Sequence, residues 1–299
     1  MKAAPFSYVR PTRLDDVVAE LERAESTGGG KVIAGGQSLL PVLAMRLGRP
    51  KTLVDITRVR ELAELQDDVG TVRIGAAVRQ RRVERELARR VPLVGRALPW
   101  VGHREIRSRG TVCGSLAHAD PSAELPAVAL CLDATLTVVG PEGRRRVPAA
   151  EFFTGAMSTV LAPAELVTSV TVPTPRAGEG FGFEELARRH GDFALAGAAA
   201  RVRRDGDAVT EAALVGFGVA DRAQHRDLTV PMAQAVSQHG ADEKALTTTL
   251  AEAVDQIAAE VVTASDAHAS QQYRRRLMRV LGTRALVRAW TDSRRRTHA

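Results

Sequence analysis

The apolar positions of the chain change rhythm as it proceeds. In the first stretch they repeat with a helical period: Leu14, Val17, Val18 and Leu21 stand at i, i+3, i+4 and i+7, which predicts an amphipathic helix. Thr12 offers an N-cap hydroxyl with Asp15 three residues on, and Gly28, Gly29 and Gly30 close the segment. A short strand over 31–34 runs straight into Gly35-Gly36-Gln37-Ser38. A second helix follows over 39–47, with Pro41 near its start, where a missing N–H does no harm, and then a strand over 52–56. Residues 1–56 therefore read as a small α/β unit: strand, glycine loop, helix, strand.

From residue 57 the pattern is mixed. A strand is expected over 72–76 and helices over 80–90 and 91–101. A loop dense in Gly, Thr and Ser leads into an apolar, helix-like run after Glu124. Strands over 134–139 and 144–148 form a hairpin around Gly140-Pro141-Glu142-Gly143. Residues 151–159 read as loop or short helix, and a strand over 166–172 is closed by Pro173-Thr174-Pro175. That proline-rich segment, with Gly178 and Gly180, is the best domain boundary. Strands over 182–189, 195–203 and 208–219 follow, the last two joined at Asp205-Gly206. Helices then dominate: 241–262, with Leu246, Leu250, Val254 and Ile257 on one side, and 270–290. The division expected is 1–56, 57–175 and 176–299, with no internal repeat.

Composition narrows the class. The chain has 299 residues, 44% hydrophobic and 26% charged, enough for substantial cores in a globular protein. Its net charge of +7 raises the question of a nucleic-acid partner. The arginines are interleaved with Glu and Asp, however, and aromatics are only 4%, so a basic stripe and a base-stacking platform are both missing. The two cysteines, Cys113 and Cys131, make neither a disulfide scaffold nor a CxxC metal pair. No apolar run reaches membrane-spanning length and the first residues hold no apolar signal core, so the chain reads as cytoplasmic.

Two glycine-rich stretches carry the candidate chemistry. Ala34-Gly35-Gly36-Gln37-Ser38 can bring backbone amides to an anion, with the Ser38 hydroxyl as a further donor; a plain strand–helix turn has the same composition. It matches neither GxGxxG nor GxxxxGK[ST]. Thr111-Val112-Cys113-Gly114-Ser115 is the second, its glycines leaving the backbone approachable. Together they point to one extended ligand with a pyrophosphate, lying between two α/β units. His118, Asp120 and Glu124 are too few for a metal site. Asp120-Pro121 suits a helix entry, His118 reads as framework, and Glu124 suits a carboxylate that accepts ribose hydroxyls. Cys113 reads as a small buried residue in a tight loop, the alternatives being a redox thiol or a covalent cofactor anchor. Phe193, after Gly191-Asp192, can stack on a flat ring or serve as an ordinary core residue.

These residues meet a known family. The sequence resembles the FAD-binding medium subunit of bacterial molybdenum hydroxylases, the family that includes aerobic carbon monoxide dehydrogenase and the xanthine dehydrogenase flavin domain. The matching stretches occur in family order. They are 34–41 with Arg46, 53–56, Ile106-Arg107-Ser108-Arg109-Gly110-Thr111, 114–121, Glu151-Phe152-Phe153, 188–194 and Tyr273-Arg274-Arg275. The resemblance implies an α+β fold: a two-subdomain FAD-binding domain of the PCMH (vanillyl-alcohol-oxidase) type, then a C-terminal domain of antiparallel sheet plus helices. It implies that Ala34 to Ser38 and Thr111 to Ser115 bind the pyrophosphate and nearby flavin, with Ile33, Leu39, Ile106 and His118 in the same site. It sets Asp120 and Glu124 near the ribitol or ribose, Leu166 and Val167 against the adenine, and Phe193 beside the isoalloxazine. Three departures stand out. Thr111-Val112-Cys113-Gly114 replaces Thr-Ile-Gly-Gly, so the Cβ of Cys113 narrows the space near the flavin if its backbone needs a positive φ. Ser115 replaces the Asn of some members. Glu184 stands where the xanthine dehydrogenase type has Lys, which favours the carbon monoxide dehydrogenase-like branch.

The function implied is a redox subunit. Electrons leave a molybdenum cofactor in a large subunit, cross two [2Fe–2S] clusters in a small subunit, reach FAD on this chain and pass to an external acceptor, within a dimerised heterotrimer. No general base and no metal are expected on this chain. The alternatives are a stand-alone FAD-dependent oxidase or dehydrogenase with its own pocket beside Phe193 and His190, and an assembly module that has lost FAD.

Overall fold

The computed structural model describes residues 2–262 and 265–296. The first sheet is parallel, with β1 (Ser7–Val9) and β2 (Gly30–Ile33) flanking β3 (Thr52–Asp55). Helix α1 (Leu14–Ser26) joins β1 to β2 and α2 (Leu39–Ala44) joins β2 to β3. Parallel neighbours require such crossovers, and they leave the loops after the strands together at the carboxyl edge of the sheet. The start of α1 differs from expectation. Arg13 takes the N-cap position without a side-chain cap, and the Leu14 amide donates to Glu61 Oε1 at 3.3 Å. A carboxylate from another segment does the work expected of Thr12.

The second sheet is antiparallel, in the order β4 (Leu65–Asp68), β5 (Thr71–Gly75), β10 (Leu166–Pro173), β6 (Thr135–Gly140) and β7 (Gly143–Pro148). Helices α3 (Gln80–Leu87), α4 (Pro92–Ala97), α5 (Arg104–Arg109), α6 (Val112–His118) and α7 (Glu124–Cys131) lie between β5 and β6. The expected helices over 80–90 and 91–101 are shorter, the second ending in a 3₁₀ turn at Leu98–Trp100 where Pro99 removes a donor. Every residue of α7 is buried, including Glu124, because the helix packs on the strands Ala194–Asp205 and Ala208–Phe217 as well as on α4 and α6. After β7 come α8 (Ala149–Phe152) and a small ribbon of β8 (Phe153–Gly155) with β9 (Ser158–Thr159).

The third sheet is β11 (Glu179–Ala187), β12 (Ala194–Asp205), β13 (Ala208–Phe217) and β14 (Gln224–Asp227), all antiparallel. Helices α9 (Thr229–His239), α10 (Glu243–Val261) and α11 (Gln271–Arg296) cover one face. The other face carries Phe181, Phe183, Val215 and Phe217 into the same core as the first two sheets. With both faces buried, β12 reads as a run of alanines rather than an alternation. Gly180 and Gly182 let α11 lie directly on β11: a Cβ at Gly182 would stand 1.9 Å from the Ala285 carbonyl oxygen. One carboxylate locks the halves together, since Asp292 of α11 accepts from the Phe181 amide at 3.0 Å and pairs with Arg96 of α4 at 2.6 Å.

Candidate functional site

The two glycine stretches meet. A Cβ at Gly35 would fall 2.4 Å from the Arg109 carbonyl oxygen and 2.7 Å from Gly110 Cα, so the two backbones touch where neither has a side chain. The turn after β2 requires glycine at 36, where φ is +72°. Gln37 Nε2 donates back to the Gly35 carbonyl at 3.0 Å and braces the turn. Ile33, Ala34 and Leu39 are partly buried around it and Ser38 is exposed.

The second stretch is not the loop expected. Only Gly110 and Thr111 separate α5 from α6, and Thr111 caps α6 by accepting from the Gly114 amide at 3.0 Å. Cys113 therefore has helical backbone, not a positive φ, and the anticipated narrowing by its Cβ does not arise. Its thiol, 2% exposed, donates to the Ile74 carbonyl, and burial pushes its pKa up to about 12. Gly114, Ser115 and His118 are half-buried along the same helix.

Arginines and a glutamine frame this junction; Arg107 and Arg109 stand in the 106–111 family stretch, whereas nothing in the sequence singles out Arg79 or Gln80. Arg79 pairs with Thr111 as an isolated antiparallel bridge, and its guanidinium donates to the Arg109 carbonyl. Burial and the neighbouring positive charge of Arg109 both press the Arg79 pKa down, with only Asp55 opposing them. Gln80 sits behind Gly110: its backbone N–H donates to the Gly110 carbonyl at 2.9 Å and its side-chain Nε2 to the Thr111 carbonyl at 3.4 Å, while its buried Oε1 has no partner. Arg107 is buried, paired with Glu84 at 3.1 Å and donating to the carbonyls of Val101 and Gly102, so it fixes the turn before α5. Alternating Glu and Arg along α3 and α5 hid that pair among solvent-facing charges.

The acidic positions gather at the start of α7. Asp120 Oδ1 accepts from the Ser122 amide at 2.8 Å and shapes the turn, and the Pro121 carbonyl accepts from Gly218 of the third sheet. Burial raises the pKa of Glu124 to about 7, helped by the charge of Asp120. Glu184 points to α11 and pairs with Arg288, away from this region. Its neighbour Glu185 faces the other way. Leu166 and Val167 are both buried at the start of β10. Phe193 is 70% exposed in the turn between β11 and β12, and Ile106 is 38% exposed on α5. That turn leans on α5: Gly191 packs on the His103 ring, and the His190 and Trp100 rings lie 5.5 Å apart. The structure thus brings Gly35 against Arg109 and Gly110, directly ahead of residues 111–115. It packs the turn that carries Phe193 against His103 at the start of α5, and sets Leu166 and Val167 in the core.

The comparisons agree with this architecture. Residues 4–175 match the model of the FAD binding domain in molybdopterin dehydrogenase, and 181–289 that of the CO dehydrogenase flavoprotein C-terminal domain. The chain is 36% identical over 297 residues to the 6-hydroxypseudooxynicotine dehydrogenase complex subunit alpha of Paenarthrobacter nicotinovorans, covering 97% of this chain and 96% of that one. Among solved structures, it superposes on quinoline 2-oxidoreductase from Pseudomonas putida 86 with a TM-score of 0.88 and 33% identity, covering 98% and 99% of the two chains. For carbon monoxide dehydrogenase from Hydrogenophaga pseudoflava the TM-score is 0.85 at 31% identity, over 97% and 99%. The chain belongs to the family of FAD-binding medium subunits of molybdenum hydroxylases.

Proposed function

We propose that this chain is the electron-exit subunit of a molybdenum hydroxylase, working with a molybdenum-cofactor large subunit and a [2Fe–2S] small subunit in a dimerised heterotrimer. The observation that carries the site is the contact of Gly35 with Arg109 and Gly110, a cradle that a single Cβ would fill. The residues present fit FAD. The turn at 34–38 and the start of α6 offer backbone amides and hydroxyls to the pyrophosphate, and Arg79 and Arg109 crowd two positive charges beside them. Phe193 and Ile106 are both exposed apolar side chains, and either can offer a face to a flat ring.

Bound FAD supplies the redox chemistry, receiving electrons from the partner's clusters and releasing them to an external acceptor. The chain's own residues bind and orient. Arg107 and Glu84 hold the turn that carries Ile106, and Thr111 fixes the first turn of α6. Two buried cysteines are too few to ligate an iron–sulfur cluster, so the clusters belong to the partner. Unpaired thiols also suit a reducing compartment, and we place the complex in the cytoplasm. Among the described residues no helix is long and apolar enough to cross a membrane. Purification from the native host tests the proposal. Flavin absorbance with two co-purifying subunits is expected. A chain that stays colourless after FAD is added refutes the cofactor site, and a chain without partners refutes the subunit role.

A further inference from the structure

Arg274, near the start of α11, is a buried arginine whose guanidinium reaches three segments at once. It donates to the carbonyls of Leu195 and Gly218 and pairs with Asp266 at 2.5 Å. Leu195 lies two residues beyond Phe193, where β12 leaves the exposed turn. Gly218 follows the last residue of β13, and its backbone N–H donates to the Pro121 carbonyl at 2.8 Å, ahead of α7. Both carbonyls stand just outside the β12–β13 ladder, whose pairing stops at Gly197 and Phe217. A planar guanidinium, with its donors on a fixed fork, can hold two carbonyls and a carboxylate in one geometry. Asp266 is itself fixed, its Oδ1 accepting from the backbone N–H groups of His268 and Ala269 at 2.8 and 3.0 Å. At the other end of the turn, Arg188 lies 3.5 Å from the His268 ring of the same loop. The segment that opens α11 therefore holds both ends of the turn, whose middle leans on His103 and Trp100. Phe193 is 70% exposed, so its own packing does not set where it points; the backbone on either side does.

We propose that Arg274 is a positioning residue for the flavin: by tying Leu195 to Gly218 it fixes the turn that carries Phe193 relative to the entry of α7, and so sets how the aromatic ring meets the bound cofactor. The inference rests on the FAD site proposed above and adds to it a residue from the C-terminal half that acts through the backbone rather than by touching the cofactor. Lysine could not take its place, because one ammonium group cannot span both carbonyls and Asp266.

The test compares full chains: wild type, Arg274→Gln, Asp266→Asn, Phe193→Ala and the double variant Phe193→Ala with Arg274→Gln. Asp266→Asn keeps an oxygen for the His268 and Ala269 amides and removes only the ion pair, so it carries the test if Arg274→Gln does not fold. Without flavin, the readout is the rate of trypsin cleavage after Arg188 and Arg189 in the exposed turn, followed by mass spectrometry. Cleavage should rise roughly 10-fold or more in Arg274→Gln and by a smaller factor in Asp266→Asn. With FAD bound, the readout is flavin fluorescence, which a contacting aromatic ring quenches. Phe193→Ala should raise it, Arg274→Gln and Asp266→Asn should raise it partway, and the double variant should match Phe193→Ala alone. A residue that only anchors α11 would lower the melting temperature and leave the fluorescence where it was. Unchanged cleavage, unchanged fluorescence, or a further rise in the double variant overturns the proposal. A wild-type chain that takes up no FAD refutes the cofactor site itself, and the cleavage rates still decide whether Arg274 holds the turn.

Discussion

Replacing Gly35 with Ala probes the contact between the two glycine stretches. The new Cβ would lie 2.4 Å from the Arg109 carbonyl oxygen and 2.7 Å from Gly110 Cα. Ordinary contact needs about 1 Å more, and both obstacles are backbone, so no rotamer change relieves the clash. The turn after β2 and the Gly110–Thr111 corner must separate. Overpacking of this kind costs about 1–3 kcal/mol, or several degrees of melting temperature in a chain of this size. Separation also pulls apart the donors proposed to face the pyrophosphate, so the flavin content of the purified protein should drop to a small fraction of stoichiometric. Gly114→Ala is the control. Its Cβ meets only the Thr111 hydroxyl, at 2.6 Å. The helix cap it disturbs is worth about 1 kcal/mol, and Ala inside a helix returns about as much. Thermal melting and the ratio of flavin to protein absorbance read both variants. Gly35→Ala should lose stability and flavin together, whereas Gly114→Ala should keep the melting temperature. A Gly35→Ala protein with wild-type melting and full flavin would refute the packing described and the site built on it.

Other outcomes follow from the same geometry. Arg107→Met leaves Glu84 paired with Arg81 alone and unties the carbonyls of Val101 and Gly102; about 2 kcal/mol should be lost in chemical denaturation, with m unchanged. Native protein should resist thiol reagents at both Cys113 and Cys131, since burial pushes each pKa up to about 12; two thiols should react only after unfolding. The flavin-free chain should lose stability as pH rises. Glu124 and Glu185 hold protons in the folded state up to about 7 and about 9, which the unfolded chain releases near the usual carboxylate pKa. The stabilisation is complete below that value and decays up to the folded pKa, at no more than about 1.4 kcal/mol per pH unit for each group. Denaturation at pH 6 and pH 8.5 should show the decline, and Glu185→Gln should shallow it.

Much of this was legible in the residues. The period of Leu14, Val17 and Leu21 places α1, the turn around Gly140 and Gly143 places the β6–β7 hairpin, and the order of short motifs points to the family. The misses have physical causes. Strands β1, β4 and β14 are only three or four residues long, too short for a period to emerge, and α9 lies among segments of mixed polarity. The stretch 111–115 looked like a loop because glycine, serine and threonine disfavour helix; the cap from Thr111 and burial against β5 and β10 override that preference. Glu184 drew attention through the family pattern, whereas the structure turns it to Arg288. Glu185 was visible in principle, as a charge in register with Phe181 and Phe183 on a buried strand face.

The carboxylate of Asp292, bridging Arg96 and the Phe181 amide, fixes more than a helix end. Chains made of two halves commonly pivot where the halves meet. Here a shared core and that bridge leave no pivot, so the separation between the flavin ring in the proposed site and any redox centre docked on the same subunit is a constant of the fold. Transfer by tunnelling falls steeply with separation. Its rate on this subunit should therefore follow the potentials of the two centres rather than any opening or closing of the chain.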